Sequence, residues 1–176
     1  TLSQALANAF GLEYSRIQFT SDLLPADILG VTIYDQSNGE FSFHKGPIFS
    51  NLILADEINR TTPKTQSALL EAMEEGQVSI DNKTMVLPRP FFVIATQNPV
   101  SFAGTYPLPE SQLDRFLMRL QIGYPDPEAE RELLNNRDQR EKIAGMKQAL
   151  SPEDVIQISK QITQVHTTDT LLDYVQ

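Results

Sequence analysis

Residues 52–57 read Leu52-Ile53-Leu54-Ala55-Asp56-Glu57, four apolar residues running into two carboxylates. A short, continuous apolar run of this kind reads as a strand buried on both faces. Side chains alternate along a strand, so Asp56 and Glu57 point in different directions and are not duplicate groups. In an open α/β sheet, ligands bind just outside the carboxyl ends of the strands. There, one carboxylate suits a magnesium ion on a nucleotide, and a second suits the orientation of an attacking water. The plainer alternative is a buried strand ending in an ordinary acidic turn, and the hexapeptide alone leaves both open.

Outward from this stretch the chain reads as alternating helices and strands. Upstream, Leu2, Leu6, Ala9 and Phe10 recur at helical spacing, with Gly11 where a capping glycine belongs. A short strand is predicted at 14–19, then a polar, proline-interrupted connection at 22–28. In VTIYDQSNGEFSFHKG (31–46), Val31 and Ile33 alternate before Asn38-Gly39 and Phe41 and Phe43 after it, which predicts a hairpin. Downstream, Thr62-Pro63 reads as a helix start with a capping hydroxyl. Leu69, Leu70, Ala72 and Met73 give that helix its apolar face, and Gly76 ends it. A second hairpin is predicted at 78–87 around Asp81-Asn82, followed by an apolar strand at 91–96, a short helix within 107–115 and a strand at 117–122. Asp126-Pro127 and Ser151-Pro152 open further helices, with Asp154 completing a capping-box pattern. Fully apolar strands alternating with helices predict an α/β fold with a mostly parallel sheet. After about Gly123 only helices are expected, so a helical subdomain should begin near Pro125. The charge-rich residues 137–147 read as a solvated helix face or linker.

Two further pieces bear on the carboxylates. The strand at 91–96 runs into Gln97-Asn98-Pro99, which can place the Asn98 amide beside Asp56 and Glu57, within reach of a water or a γ-phosphate. An Asn-Pro turn without chemistry is the alternative. In Gln112-Leu113-Asp114-Arg115-Phe116, Arg115 lies at a helix-to-strand junction. It is either a surface arginine paired with Asp114 or an arginine finger that stabilises charge on a phosphoryl group bound by a neighbouring subunit.

Composition excludes several other chemistries. The 176 residues carry 23 acidic and 14 basic side chains, a net charge of −9. That argues against surface-wide attraction to nucleic acid or to an anionic membrane. There is no cysteine, which rules out disulfides and thiolate metal sites and permits a cytosolic setting. No apolar run approaches the roughly 18 residues needed to span a bilayer. His44 and His166 are isolated from carboxylates at ligand spacing, and no G-x-S-x-G elbow is present. Phe41 and Phe43 read as hairpin packing residues or as contacts for a protein client, in preference to a base-stacking platform.

The order and spacing of LADEINRTTPKTQSALLEAMEEGQVSID, FFVIATQNP and GTYPLPESQLDRF closely resemble the MoxR family of AAA+ ATPases. The likeness runs from Thr1 to about Pro127 and more loosely to the end. It implies an AAA+ P-loop NTPase-type parallel sheet flanked by helices, with two β-hairpin inserts and the start of an α-helical lid. It implies ATP and Mg²⁺ as ligands, Asp56 as the Walker B magnesium residue and Glu57 as the catalytic Walker B carboxylate. Asn98 becomes sensor 1, and Arg115 an arginine finger acting in trans. Asn59 and Arg60 belong to the family signature. The resemblance further implies a cytoplasmic ring of this chain, six subunits being the expected number, that remodels protein complexes, among them von Willebrand factor A-type partners. Its hairpins would face the ring pore. A non-hydrolysing scaffold and a nucleic-acid remodelling motor of the same clade are the competing functions, the first disfavoured by the intact residue set and the second by charge.

The phosphate-binding loop of the family, GxxxxGK[ST], has no match here, because TLSQALA resembles the stretch just after it. The expectation is therefore a core over 1–124 that lacks the first, central strand and its loop, and a linker with part of the lid over 125–176. On that expectation the chain is part of a longer protein, binds nucleotide weakly or not at all by itself, and is inactive alone.

Overall fold

The structure, a computed structural model, describes residues 2–37, 39–98, 104–135 and 139–175. Its centre is a three-stranded parallel sheet in the order β1 (Tyr14–Gln18), β4 (Leu52–Asp56), β7 (Phe92–Ala95). The register pairs Gln18 with Asp56 and Ala55 with Ala95, so all three strands end at one level. Before β1 lies α1 (Leu2–Phe10), closed by Gly11 at φ 60°, as its position predicts. β4 buries both faces. Leu52 packs with Ala7 and Leu12 on the α1 side, while Ile53 and Ala55 join the larger core with Leu69 and Leu70 of α3 (Pro63–Glu75). The result is a helix–sheet–helix sandwich with β4 in its middle.

Between β1 and β4 lies α2 (Pro25–Leu29), where sequence predicts only a proline-interrupted connection. Pro25 takes the first helical position, where its missing N–H costs nothing, and the Asp27 carboxylate accepts the Leu24 N–H at 2.8 Å. The first hairpin follows as β2 (Gly30–Asp35) and β3 (Glu40–Lys45). Asp35 pairs with Glu40 and its carbonyl accepts the Gly39 N–H, so the connection is a four-residue loop wider than a bare Asn-Gly turn. The second hairpin, β5 (Gln77–Ile80) and β6 (Lys83–Val86), turns as predicted at Asp81 and Asn82, whose φ values of 50° and 60° suit a two-residue primed turn.

α3 ends at Gly76, φ 62°, as expected. Its start departs from prediction: the Thr62 hydroxyl does not cap the helix but lies 3.3 Å from that of Thr65, which in turn donates to the Leu23 carbonyl at 2.9 Å. After β7 come α4 (Glu110–Leu113), α5 (Pro127–Asn135), α6 (Gln139–Ala144), α7 (Pro152–Ile162) and α8 (Asp169–Val175). Ser151 and Asp154 form the predicted capping box on α7, with the Asp154 N–H bonded to Ser151 Oγ at 3.1 Å and the Ser151 N–H to Asp154 Oδ2 at 2.9 Å.

The strand predicted at 117–122 does not form. That segment pairs with none of the described strands, and Leu117 is 98% exposed. Among the described residues no helix is long and apolar enough to cross a membrane.

Candidate active site

Parallel register brings three polar residues to the carboxyl ends of the central strands: Gln18 at the end of β1, Asp56 at the end of β4 and Thr96 just past β7. The Thr96 hydroxyl donates to Asp56 Oδ1 at 2.6 Å and accepts the Glu57 N–H at 2.9 Å. From β1, two residues before Gln18 on the same face, Arg16 reaches Asp56 Oδ2 at 2.6 Å. Asp56 is therefore held on both oxygens. The Thr96 hydrogen bond and then the Arg16 guanidinium keep its carboxyl below the ordinary range, against the opposing effect of partial burial. It stays ionised near neutral pH.

Glu57 sits in the left-handed region, φ 57° and ψ 49°, a conformation that costs a side-chain-bearing residue about 1–2 kcal/mol. Strain of this kind persists where surrounding structure over-determines it, commonly at functional sites. Here the Thr96 hydroxyl and the Ile58 N–H bonded to the Thr96 carbonyl at 3.0 Å force the reversal. The turn breaks the strand, so Glu57 departs from simple alternation. Its Oε2 receives Gln18 Nε2 at 3.2 Å and Arg60 Nη1 at 2.9 Å. Both carboxylates remain partly exposed at the strand end, with side chains 23% and 26% accessible.

Asn98 lies on the exposed stretch after β7. Its carbonyl accepts the Asn59 side-chain amide at 3.3 Å, which joins the strand-end loop to the residue two beyond Glu57. Asn59 is buried and its Oδ1 has no hydrogen-bond partner among the described residues. Pro99, the rest of the predicted Asn-Pro turn, lies outside the described residues. Arg115 is elsewhere. Its guanidinium pairs with Glu74 in the last turn of α3 at 2.9 Å, not with Asp114 as the plainer sequence reading has it. Glu74 stands eleven residues after Pro63, about 16 Å along the helix axis from the end that follows the carboxylates.

Arg16, Gln18 and Thr96 are the contributors that sequence reasoning missed. Arg16 carried one signal, a charge inside an otherwise ordinary strand. Of the hairpin aromatics, Phe43 packs edge-on against Phe49 with centroids 6.0 Å apart, whereas Phe41 is 74% exposed and leans on Tyr34. The hairpins are tied together by Thr32 Oγ1 donating to Asp81 Oδ2 at 2.6 Å, beside a cleft of about 540 Å³ that Phe41, Ile80 and Met85 help to line.

The parallel sheet flanked by helices, with two carboxylates at the end of its central strand, is consistent with an AAA+ P-loop fold. The family described as "ATPase family associated with various cellular activities (AAA)" matches residues 1–118. Uncharacterized protein YeaC of Bacillus subtilis is 51% identical over 172 residues, covering 98% of this chain and 54% of that protein. Chaperone MoxR1 of Mycobacterium tuberculosis is 46% identical over 172 residues, covering 98% of this chain and 45% of that one. A solved structure of a candidate ATPase from Cytophaga hutchinsonii superposes with a TM-score of 0.85 at 47% identity, over 97% of this chain and 52% of its own. The chain belongs to the MoxR family of AAA+ ATPases. It spans about half the length of these relatives.

Proposed function

We propose that the full-length protein binds and hydrolyses ATP with Mg²⁺ at sites shared between subunits of a cytoplasmic ring, and uses the cycle to remodel protein complexes. The observation that carries this reading is the strand-end carboxylate pair, set at one level with Gln18 and Thr96 and fixed by Arg16 and Arg60.

The chemistry of Asp56 fits magnesium. It is an oxygen donor kept ionised by its neighbours, which suits a hard cation. Among the described residues no group of three or more His, Cys, Asp or Glu is placed to hold a metal ion. One carboxylate with nucleotide phosphates and waters is the usual arrangement for Mg²⁺ on a nucleotide. Bound there, the ion supplies charge neutralisation on the phosphates. Glu57, turned out of the strand, orients and polarises the attacking water, with Gln18 and Arg60 fixing its carboxylate. Asn98 follows the state of the terminal phosphate through the loop that Asn59 holds. Arg115, at the far end of α3 from its own carboxylates, is suited to a phosphate on the neighbouring subunit. Remodelling of protein clients is drawn from the chaperone name of the Mycobacterium relative and from the exposed hairpin aromatics. Proteins with von Willebrand factor A-type domains remain the client class we propose, and six the ring size.

The test is complementation in the full-length protein. Arg115→Ala and Glu57→Gln are each expected to lose turnover, and mixing the two kinds of subunit is expected to restore part of it. Recovery at no mixing ratio contradicts shared sites, and undiminished hydrolysis by Glu57→Gln contradicts the catalytic assignment.

A further inference from the structure

α3 holds the segment leading to Arg115 at two points. Near its start, Gln66 is 1% exposed and spreads Nε2 over three main-chain carbonyls: Ile58 at 3.2 Å, Thr61 at 3.3 Å and Tyr106 at 2.9 Å. Ile58 and Thr61 belong to the turn that follows Glu57. Tyr106 begins the arm that continues through α4 to Arg115. The same end is held by the Tyr106 N–H, which donates to the Asn59 carbonyl at 2.7 Å. In the last turn of α3, Glu74 holds the Arg115 guanidinium itself.

Between these attachments α3 and the arm meet in the core through Leu70 and Leu108, and a surface cleft of about 250 Å³ opens beside them, with Ser67 and Glu71 on one side and Gln112 and Arg115 on the other. Gln112 Oε1 is buried there without a partner among the described residues. The arm itself is stiff: Pro107 and Pro109 fix two φ angles, Leu108 is buried in the core, and the Pro109 carbonyl accepts the Gln112 and Leu113 N–H groups. Tyr106 and Arg115 are thus joined through Leu108 and α4. The exposed Glu74 pair is weak, whereas the Gln66 amide bonds to the Ile58 and Thr61 carbonyls are buried and costlier to lose.

We propose that Gln66 is a positioning residue for Arg115, with Glu74 as the second attachment, so that α3 ties the place of that guanidinium to the turn carrying Glu57 in the same subunit. This rests on the shared-site reading above.

The experiment uses mixed rings of the full-length protein. Glu57→Gln subunits supply Arg115, and Arg115→Ala subunits supply Glu57. Gln66→Met keeps side-chain length and removes both N–H donors. Placed in the Arg115-supplying subunits, it is expected to lower turnover of the mixture about tenfold or more, because a displacement of the order of 1 Å is costly at a reacting centre. Placed in the Glu57-supplying subunits, it is expected to cost clearly less. A general loss of fold would not depend on placement. Equal losses in both placements, or a larger loss on the Glu57 side, overturn the proposal. Should Gln66→Met fail to assemble, Glu74→Gln on the surface is expected to show the same asymmetry at smaller size, and its absence overturns the proposal equally. If the parent mixture has no turnover at all, the shared-site reading fails first and this one falls with it.

Discussion

Two stretches that both read as strands, the continuous apolar run at 52–56 and the 117–122 segment interrupted by Arg119 and Gln121, end in opposite states. β4 is flanked on both edges by parallel partners, and its Leu52, Ile53 and Ala55 are fully buried. Residues 117–122 have apolar positions at Leu117, Met118, Leu120 and Ile122, all exposed, and pair with none of the described strands. A strand is a property of a pair. Apolar pattern and β propensity become structure only where neighbouring backbone satisfies the N–H and C=O groups and an opposing layer covers the side chains.

This contrast can be broken by substitution. Ile53→Asp buries an unpaired charge at the centre of the sandwich and is expected to cost at least about 4 kcal/mol, enough to unfold the domain in a thermal or urea melt. A folded Ile53→Asp protein would contradict the central place of β4. Acid sharpens the strand end. Asp56 is held below its ordinary value, so its stabilising contribution is complete above the unfolded carboxyl pKa of about 3.9 and is lost as pH falls through the lower folded value. Thr96→Val removes the largest cause of that depression. The Asp56 carboxyl should then titrate at higher pH by NMR, and less stability should remain to be lost in acid. An unchanged titration would remove Thr96 from the site. Smallest of all, Leu120→Ser in this 176-residue chain is expected to change stability by no more than about 0.5 kcal/mol, as surface substitutions do. A loss comparable to that of Ile53→Asp would mean that 117–122 is packed after all.

The features legible in the sequence are those with local causes. The turn residues Asp81-Asn82 and Gly76, the Ser151–Asp154 box and the apolar run before Asp56 each carry their signal within a few positions. The carboxylate pair belongs to the same class. Its wiring does not, because Arg16 and Thr96 each lie forty positions from Asp56 and meet it only through the parallel register of β1, β4 and β7. The short helix α2 has only an ambiguous local signal, because Pro25 suits an interruption and a first helical turn equally, and here it takes the first turn. Thr62 carried a capping signal that tertiary contacts overrode, since the hydroxyl that reaches the preceding segment is that of Thr65. The segment at 117–122 shows the same limit from the other side, a local pattern with no partner to complete it.

The central claim is that Asp56 and Glu57, adjacent in sequence, do different work: one holds the metal of the nucleotide and the other acts on water. The measurement is nucleotide binding and turnover, side by side, for Asp56→Asn and Glu57→Gln in the full-length protein, with and without Mg²⁺. Asp56→Asn is expected to lose the magnesium-dependent part of ATP binding, while Glu57→Gln keeps that binding and loses turnover by about a hundredfold or more. Identical behaviour of the two variants, or turnover that survives Glu57→Gln, would contradict the claim.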